Sequence, residues 1–252
     1  MRIALTVIAV AAALYIAACA ALYFFQRSLI YYPQPSANGA ASRMNLRSGE
    51  VDLVISIRER AGPAAVIYFG GNAEDVSGSL PELSTAFPER ALYLMNYRGY
   101  GGSAGSPSEA ALHNDALALY DMARANHQDI VLVGRSLGTG IAVRLAAQRE
   151  VSRLVLVTPY DSLQELAASQ FPLFPVRWLL GDKYESHRHA PSIVAPTTIV
   201  LAEHDEVIPR ASTERLFTRF APGVAKLTVV PGTAHNTVSM HPLYLELLRG
   251  PR

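Results

Sequence analysis

The stretch Val131-Leu132-Val133-Gly134-Arg135-Ser136-Leu137-Gly138-Thr139-Gly140 decides how this chain folds. A β-branched apolar run ends in Gly-x-Ser-x-Gly, and Leu137 to Gln148 then reads as a helix. This order puts Ser136 in a strained strand-to-helix turn, a nucleophile elbow, where Gly134 and Gly138 remove side chains that would collide. Such a turn lifts the hydroxyl above the sheet and aims a helix N-terminus at whatever bonds to it.

Two more apolar runs follow in the order that a triad needs. Thr197 to Ala202 ends in Glu203-His204-Asp205, and Leu227 to Val230 ends in Pro231-Gly232-Thr233-Ala234-His235-Asn236. Ser136, Asp205 and His235 thus lie just past three expected strands, at the edge where open parallel sheets bind ligands. A serine hydroxyl is a weak nucleophile near neutrality. It needs an imidazole to accept its proton and a carboxylate to set the imidazole's tautomer. The plain alternative is a turn serine, an exposed aspartate and a surface histidine.

Other patterns set the architecture. Val51–Ile57, Ala65–Phe69, Ala91–Met95, Ile130–Val133 and Leu154–Val157 read as strands. Helical spacing covers Pro107 to His127, with Ser106 as N-cap and Pro107 at N1, and helices are also expected over Pro209–Phe220 and His241–Leu248. Alternating strands and helices imply an α/β fold with a mainly parallel sheet covered on both faces. The segment from 159 to 196 leaves room only for a small lid, in which Phe171, Phe174 and Trp178 offer apolar surface. They pack on the sheet, line an acyl groove or touch a membrane.

Ile3 to Phe25 is an uncharged run of 23 residues. As a helix it rises about 35 Å, enough for a hydrocarbon core of roughly 30 Å. Apolarity runs on past Cys19, whereas a cleaved signal is followed by polar sequence, so an uncleaved anchor is favoured. A lipoprotein signal at Ile16-Ala17-Ala18-Cys19 and other cleavage stay open. Arg2 lies on one side and Arg27, Arg43 and Arg47 on the other, which leaves orientation undecided. The organisation expected is an anchor over 1–27, a linker over 28–49 centred on Pro33–Gly39, and a catalytic domain over 50–252.

The 252 residues carry a formal net charge of +1, so no nucleic-acid partner is expected. Cys19 is the single cysteine, which excludes a disulfide framework. Arg188 separates His187 from His189 without a supporting cysteine or paired carboxylate, so no metal site is expected there. The triad chemistry needs no cofactor, and none is expected.

A tetrahedral intermediate needs backbone donors placed in advance. One is expected at the Leu137 N–H and the other in Gly70-Gly71-Asn72, with Asn72 first and Gly71 second.

The chain resembles the α/β-hydrolases, in particular membrane-anchored Bem46/ABHD-like serine hydrolases. The resemblance rests on Phe25-Gln26-Arg27-Ser28-Leu29-Ile30-Tyr31-Tyr32-Pro33, Gly71-Asn72-Ala73-Glu74-Asp75 and the stretch Asn96-Tyr97-Arg98-Gly99-Tyr100-Gly101-Gly102-Ser103-Ala104-Gly105-Ser106-Pro107-Ser108-Glu109. It continues with Gly134-Arg135-Ser136-Leu137-Gly138, His204-Asp205-Glu206-Val207-Ile208-Pro209 and His235-Asn236. It implies a serine hydrolase using Ser136, Asp205 and His235, with Arg98 structural. The resemblance implies His-Gly-Asn in many relatives where this chain has Gly70-Gly71-Asn72, which keeps the backbone donors but lacks the ring that would hold the loop.

Three functions follow as expectations. The first is hydrolysis of carboxylic esters or thioesters of acyl substrates, including lipids or acylated proteins, beside a membrane. The second is a serine aminopeptidase, for which Asp161, Glu165, Asp182 and Glu185 would supply an amine-binding cluster. The third is a non-catalytic membrane-tethered interaction module.

Overall fold

β-Branched and aliphatic runs broken by Gly, Pro and charged turns build the sheet. In the computed structural model, which describes residues 1–37 and 42–250, the strands are β1 (Ser42–Ser48), β2 (Val51–Arg58), β3 (Ala64–Phe69) and β4 (Ala91–Met95), then β5 (Asp129–Arg135), β6 (Arg153–Val157), β7 (Thr197–Ala202) and β8 (Ala225–Val230). They form one sheet in the order β1-β2-β4-β3-β5-β6-β7-β8. The β1–β2 and β2–β4 pairs are antiparallel, and every other pair is parallel.

The helices are α1 (Arg2–Ile30), α2 (Leu80–Ala86), α3 (Glu109–Arg124), α4 (Leu137–Ala146) and α5 (Leu163–Gln170), followed by α6 (Val176–Leu179), α7 (Ser186–His189), α8 (Arg210–Phe217) and α9 (Leu243–Arg249). One sheet face packs Ile67, Leu132 and Leu154 under Leu112 of α3, Ile141 of α4 and Leu216 of α8. The other packs Val66, Val131 and Val155 under Leu83 of α2 and Tyr244 of α9. Burial on both faces explains why the central strands read as unbroken apolar runs. The expected α/β fold, a mainly parallel sheet flanked by helices, is the fold observed.

Three boundaries are corrected. The linker expected over 28–49 contains β1, an edge strand whose Met44 and Leu46 lean on the core while Ser42, Arg43, Asn45 and Arg47 face solvent. Half-exposed edges carry little apolar signal. Residues 38–41 of that linker, and Pro251 and Arg252 at the end of the expected domain, lie outside the described residues. Second, α3 starts at Glu109 rather than Pro107. Ser108, not Ser106, is the N-cap and accepts the Ala111 N–H at 3.2 Å, satisfying a first-turn donor. Third, the N-terminal helix does not stop at residue 27. It runs on to Ile30, and Ile30 and Tyr31 are buried in the domain core.

Candidate active site

Only Ser136 separates β5 from α4. It sits at φ 49° and ψ −119°, a backbone state that costs roughly 1–3 kcal/mol and persists only where surrounding structure enforces it. Two glycines permit the close backbone packing around it. A Cβ on Gly138 would lie 2.1 Å from the Phe69 carbonyl oxygen, and one on Gly134 would lie 2.7 Å from the Gly138 carbonyl oxygen.

The loops after β7 and β8 carry the other two side chains. Ser136 Oγ lies 3.0 Å from His235 Nε2, and His235 Nδ1 lies 2.9 Å from Asp205 Oδ2. Both the imidazole and the Asp205 carboxylate are buried. An ionised carboxylate only accepts, so Nδ1 carries the proton and Nε2 presents its lone pair to the serine. Asp205 Oδ1 also accepts the N–H groups of Val207 and Ile208, at 3.0 and 2.7 Å, which fixes the carboxylate. Glu206, which sequence reasoning missed, accepts the His235 backbone N–H at 3.0 Å, and this bond holds the Glu206 carboxyl below its ordinary range. Glu203 instead accepts the Gly232 N–H at 2.7 Å.

The Gly70–Asn72 loop lies beside the serine, since a Cβ on Gly71 would stand 3.8 Å from Ser136 Cβ. Gly71 is corrected as a candidate oxyanion donor, because its N–H donates to Glu74 Oε2 at 2.7 Å. Leu137 opens α4 and its N–H has no intrahelical acceptor. Among the described residues, the N–H groups of Leu137 and Asn72 donate to no protein acceptor.

At the position where the resemblance would place a histidine, Gly70 stands with no room for a side chain: a Cβ would come within 2.6 Å of Val76 Cγ1. Two tyrosines of the Asn96–Ser103 loop hold the turn instead. Tyr97 donates to the Gly70 carbonyl at 2.7 Å and Tyr100 to the Asn72 carbonyl at 2.6 Å. Arg98 forms a two-pronged bond to the buried Asp115 of α3, at 2.8 and 2.7 Å, which is a structural position. The Tyr and Arg positions were visible in the motif, but their partners were not.

A cavity of about 690 Å³ opens onto Ser136 and His235. Asn72 and Leu137 line it, as do Leu22 and Leu29 of α1 and Phe171 of the lid. The three lid candidates separate. Phe171 borders the cavity, while Phe174 stacks on Tyr15 of α1 with ring centroids 5.8 Å apart. Trp178 is corrected: it is 87% exposed and absent from the cavity wall. In the single turn of α6, Val176 and Leu179 face the cavity, and the helical period turns Trp178 outward.

Comparison with known proteins bears on this arrangement. Residues 65–183 match the family described as alpha/beta hydrolase fold. An uncharacterized Mycobacterium tuberculosis protein is 34% identical over 92% of this chain and 88% of its own length. The chain belongs to the α/β-hydrolase family. The alpha/beta hydrolase domain-containing protein aho-3 of Caenorhabditis elegans is 33% identical over 63% of this chain and 47% of its own. Among solved structures, the Pyrococcus furiosus esterase Pf2001 superposes with a TM-score of 0.71 at 16% identity, covering 87% of this chain and 98% of that one. Mouse alpha/beta hydrolase domain-containing protein 10 superposes at 0.64 and 16% identity, over 83% and 96%. These neighbours share the hydrolase fold with this chain.

Proposed function

We propose that this α/β-hydrolase is a membrane-anchored serine hydrolase of the Bem46/ABHD-like kind, acting on carboxylic esters or thioesters of acyl substrates. The observation that carries the reading is the line of bonds from Ser136 Oγ to His235 Nε2 at 3.0 Å and from His235 Nδ1 to Asp205 at 2.9 Å, opening into an apolar cavity.

In this reading His235 takes the Ser136 proton as Oγ attacks the acyl carbon. The carbonyl oxygen gains negative charge facing the N–H groups of Leu137 and Asn72. Collapse expels the alcohol or thiol, which receives the proton from His235, and leaves an acyl-serine. Water then attacks the acyl carbon, again giving its proton to His235, and the acid departs as Ser136 recovers its hydrogen. Asp205 holds the tautomer and stabilises the imidazolium.

The anchor is proposed from α1, a 29-residue helix whose most apolar window is unburied and long enough to cross a membrane. Its domain end is bonded to the lid: Gln26 accepts the Gly181 N–H at 2.6 Å, and Arg27 meets Asp182 at 3.2 Å. An intact N-terminus on membrane-extracted protein, read by mass spectrometry, supports the anchor. A mature chain starting at a lipidated Cys19 favours the lipoprotein reading.

The aminopeptidase reading loses its recognition cluster. Asp161 pairs with Arg215, Glu165 with Arg177, Asp182 with Arg27 and Glu185 with Arg188, and none of the four lines the cavity. The deciding experiment is a panel of acyl esters, acyl thioesters and aminoacyl amides with fluorophosphonate labelling alongside. Turnover of esters or thioesters, with labelling lost in Ser136→Ala, is the expected result. Amide preference favours the peptidase, and absence of labelling favours an interaction module.

A further inference from the structure

The lid carries a chargeless, all-apolar tip, Phe171-Pro172-Leu173-Phe174-Pro175. It rests on the apolar shaft of α1 and not on the sheet. The Tyr15 hydroxyl donates to the Leu173 carbonyl at 2.8 Å, and Phe174 stacks on the Tyr15 ring. Tyr15 lies twelve residues before Arg27, so the tip sits about 18 Å along α1 from its last charge, beside the part that enters the bilayer in the anchor reading. Leu173 in the tip is 81% exposed, and Trp178 in the following turn is 87% exposed, so the tip and α6 continue the unburied apolar surface of the helix.

Segments at such a depth keep their backbone polar groups satisfied within the protein. The tip does so at several points. The Phe171 N–H bonds the Ala167 carbonyl, the Phe174 N–H bonds Phe171, the Val176 N–H bonds Phe174, and Tyr15 covers Leu173. The nearest charge, Arg177, is paired with Glu165 at 3.0 Å, and its long stem lets the head reach the headgroup layer.

The cavity meets the same surface. One side is α1, through Leu22, Gln26 and Leu29, and the facing side is the lid, through Phe171, Val176 and Leu179. Ser136 and His235 line the same cavity. The passage to the nucleophile is therefore walled by the anchor helix itself.

We infer that the lid tip is embedded in the bilayer beside α1, and that the acyl chain of a membrane-resident lipid enters the cavity sideways, between α1 and the lid. The inference rests on the anchor and esterase readings, and commits to lipid acyl chains as the occupant of this face. Entry from the bilayer spares the substrate's chain a passage through water, which would cost about 0.8 kcal/mol for each methylene exposed.

Trp178 is the only tryptophan in the chain, so its fluorescence reports α6, directly after the tip, without labelling. Full-length Ser136→Ala protein is placed in phosphatidylcholine vesicles, with and without bromine on the acyl chains. Expected are at least a roughly twofold loss of emission with bromolipid and little quenching by aqueous iodide, as for an indole held below the headgroups in the hydrocarbon. Iodide quenching without bromolipid quenching overturns the inference. So does protection from both, which means that protein, such as a second copy, covers the tip.

Leu173→Asp supplies the functional arm. It is expected to lower hydrolysis of a long-chain ester held in vesicles by at least about tenfold, because a charge within the hydrocarbon is costly. Turnover of 4-nitrophenyl acetate in the same sample should be unchanged. Equal losses on both substrates, or no loss on the vesicle ester, overturn sideways entry. If the unaltered protein hydrolyses neither ester, the esterase reading is what fails, and the bromolipid result still decides where the tip lies.

Discussion

Arg135, the residue between Gly134 and Ser136, makes a 3.1 Å ion pair with Glu74 at the far end of the Gly70–Glu74 loop, and both side chains are largely buried. Glu74 also accepts from the Gly71 N–H, the Tyr68 hydroxyl and the Ser79 hydroxyl, each at 2.7 Å. Arg135 reaches on to Asn236 Oδ1 at 3.2 Å, next to His235. One carboxylate and one guanidinium thus tie together the three loops that carry Asn72, Ser136 and His235.

Removing one side of such a pair leaves an uncompensated charge, so Glu74→Ala is expected to destabilise the fold by about 3 kcal/mol. It should also lower kcat roughly 10–100-fold with little change in KM, because misplaced oxyanion donors act on the transition state. Glu74→Gln, which keeps an acceptor for the Gly71 N–H, should recover part of kcat. Steady-state kinetics on a soluble ester, beside a melting curve, checks this. A lower Tm with unchanged kcat would make the pair purely structural.

The two carboxylates after β7 make a sharp comparison. Asp205→Asn is expected to lower turnover by about 10⁴, through the wrong imidazole tautomer. Glu203→Gln should stay within about twofold of the parent, since Glu203 meets Gly232 and not the imidazole. Parallel kcat/KM measurements on the two variants decide. Equal damage from both would place the wrong carboxylate beside His235.

Gly138→Ala brings a Cβ against the Phe69 backbone and is expected to cost about 3 kcal/mol or more, with fluorophosphonate labelling lost. Gly78→Ala points into open space and should change stability by less than about 1 kcal/mol. Urea unfolding of both variants tests the contrast. A fully stable, labelled Gly138→Ala protein would contradict the packing of the elbow.

His113 of α3 is buried, bonded through Nε2 to Gln148 at 3.2 Å, and desolvation followed by the nearby Arg144 charge pushes its pKa down from 6.5 to about 4. Between those values the unfolded chain binds a proton that the native state does not, so stability is complete above about pH 6.5 and falls as pH drops towards 4. His113→Gln is expected to flatten that part of the curve. Melting temperatures of both proteins from pH 7.5 to 4.0 provide the check, and identical slopes would exclude His113 as the source.

Much of the fold was legible because its signals are local. Unbroken Val, Leu and Ile runs at β3, β5 and β7 mark strands buried on both faces, and Gly134-Arg135-Ser136-Leu137-Gly138 carries its own steric logic. The order of Ser136, Asp205 and His235 at three strand ends needed only the rule that such ends share one edge of the sheet. The structure then puts these three side chains within hydrogen-bonding reach.

What was not legible depends on partners far apart in the chain. The half-exposed edge strand β1 resembles a linker until β2 and Asp115, which accepts from Ser48, are placed beside it. Asn72 ranks ahead of Gly71 in the sequence, but Gly71 stays a candidate until Glu74 takes its N–H. Trp178 and Val176 are both apolar lid residues until the turn of α6 sends one outward and the other into the cavity.

By itself the sequence determined the alternation of strands and helices, the elbow and the long apolar N-terminal run, since each follows from side-chain size, branching and polarity within a few residues. Only the tertiary structure decided that this run continues past Phe25 into the domain, bonds the lid through Gln26 and Arg27, and walls the cavity with Leu22 and Leu29. The physical reason is that a cavity is made of surfaces facing one another. The pairing of α1 with a lid some 150 positions away is encoded in no local pattern of either segment.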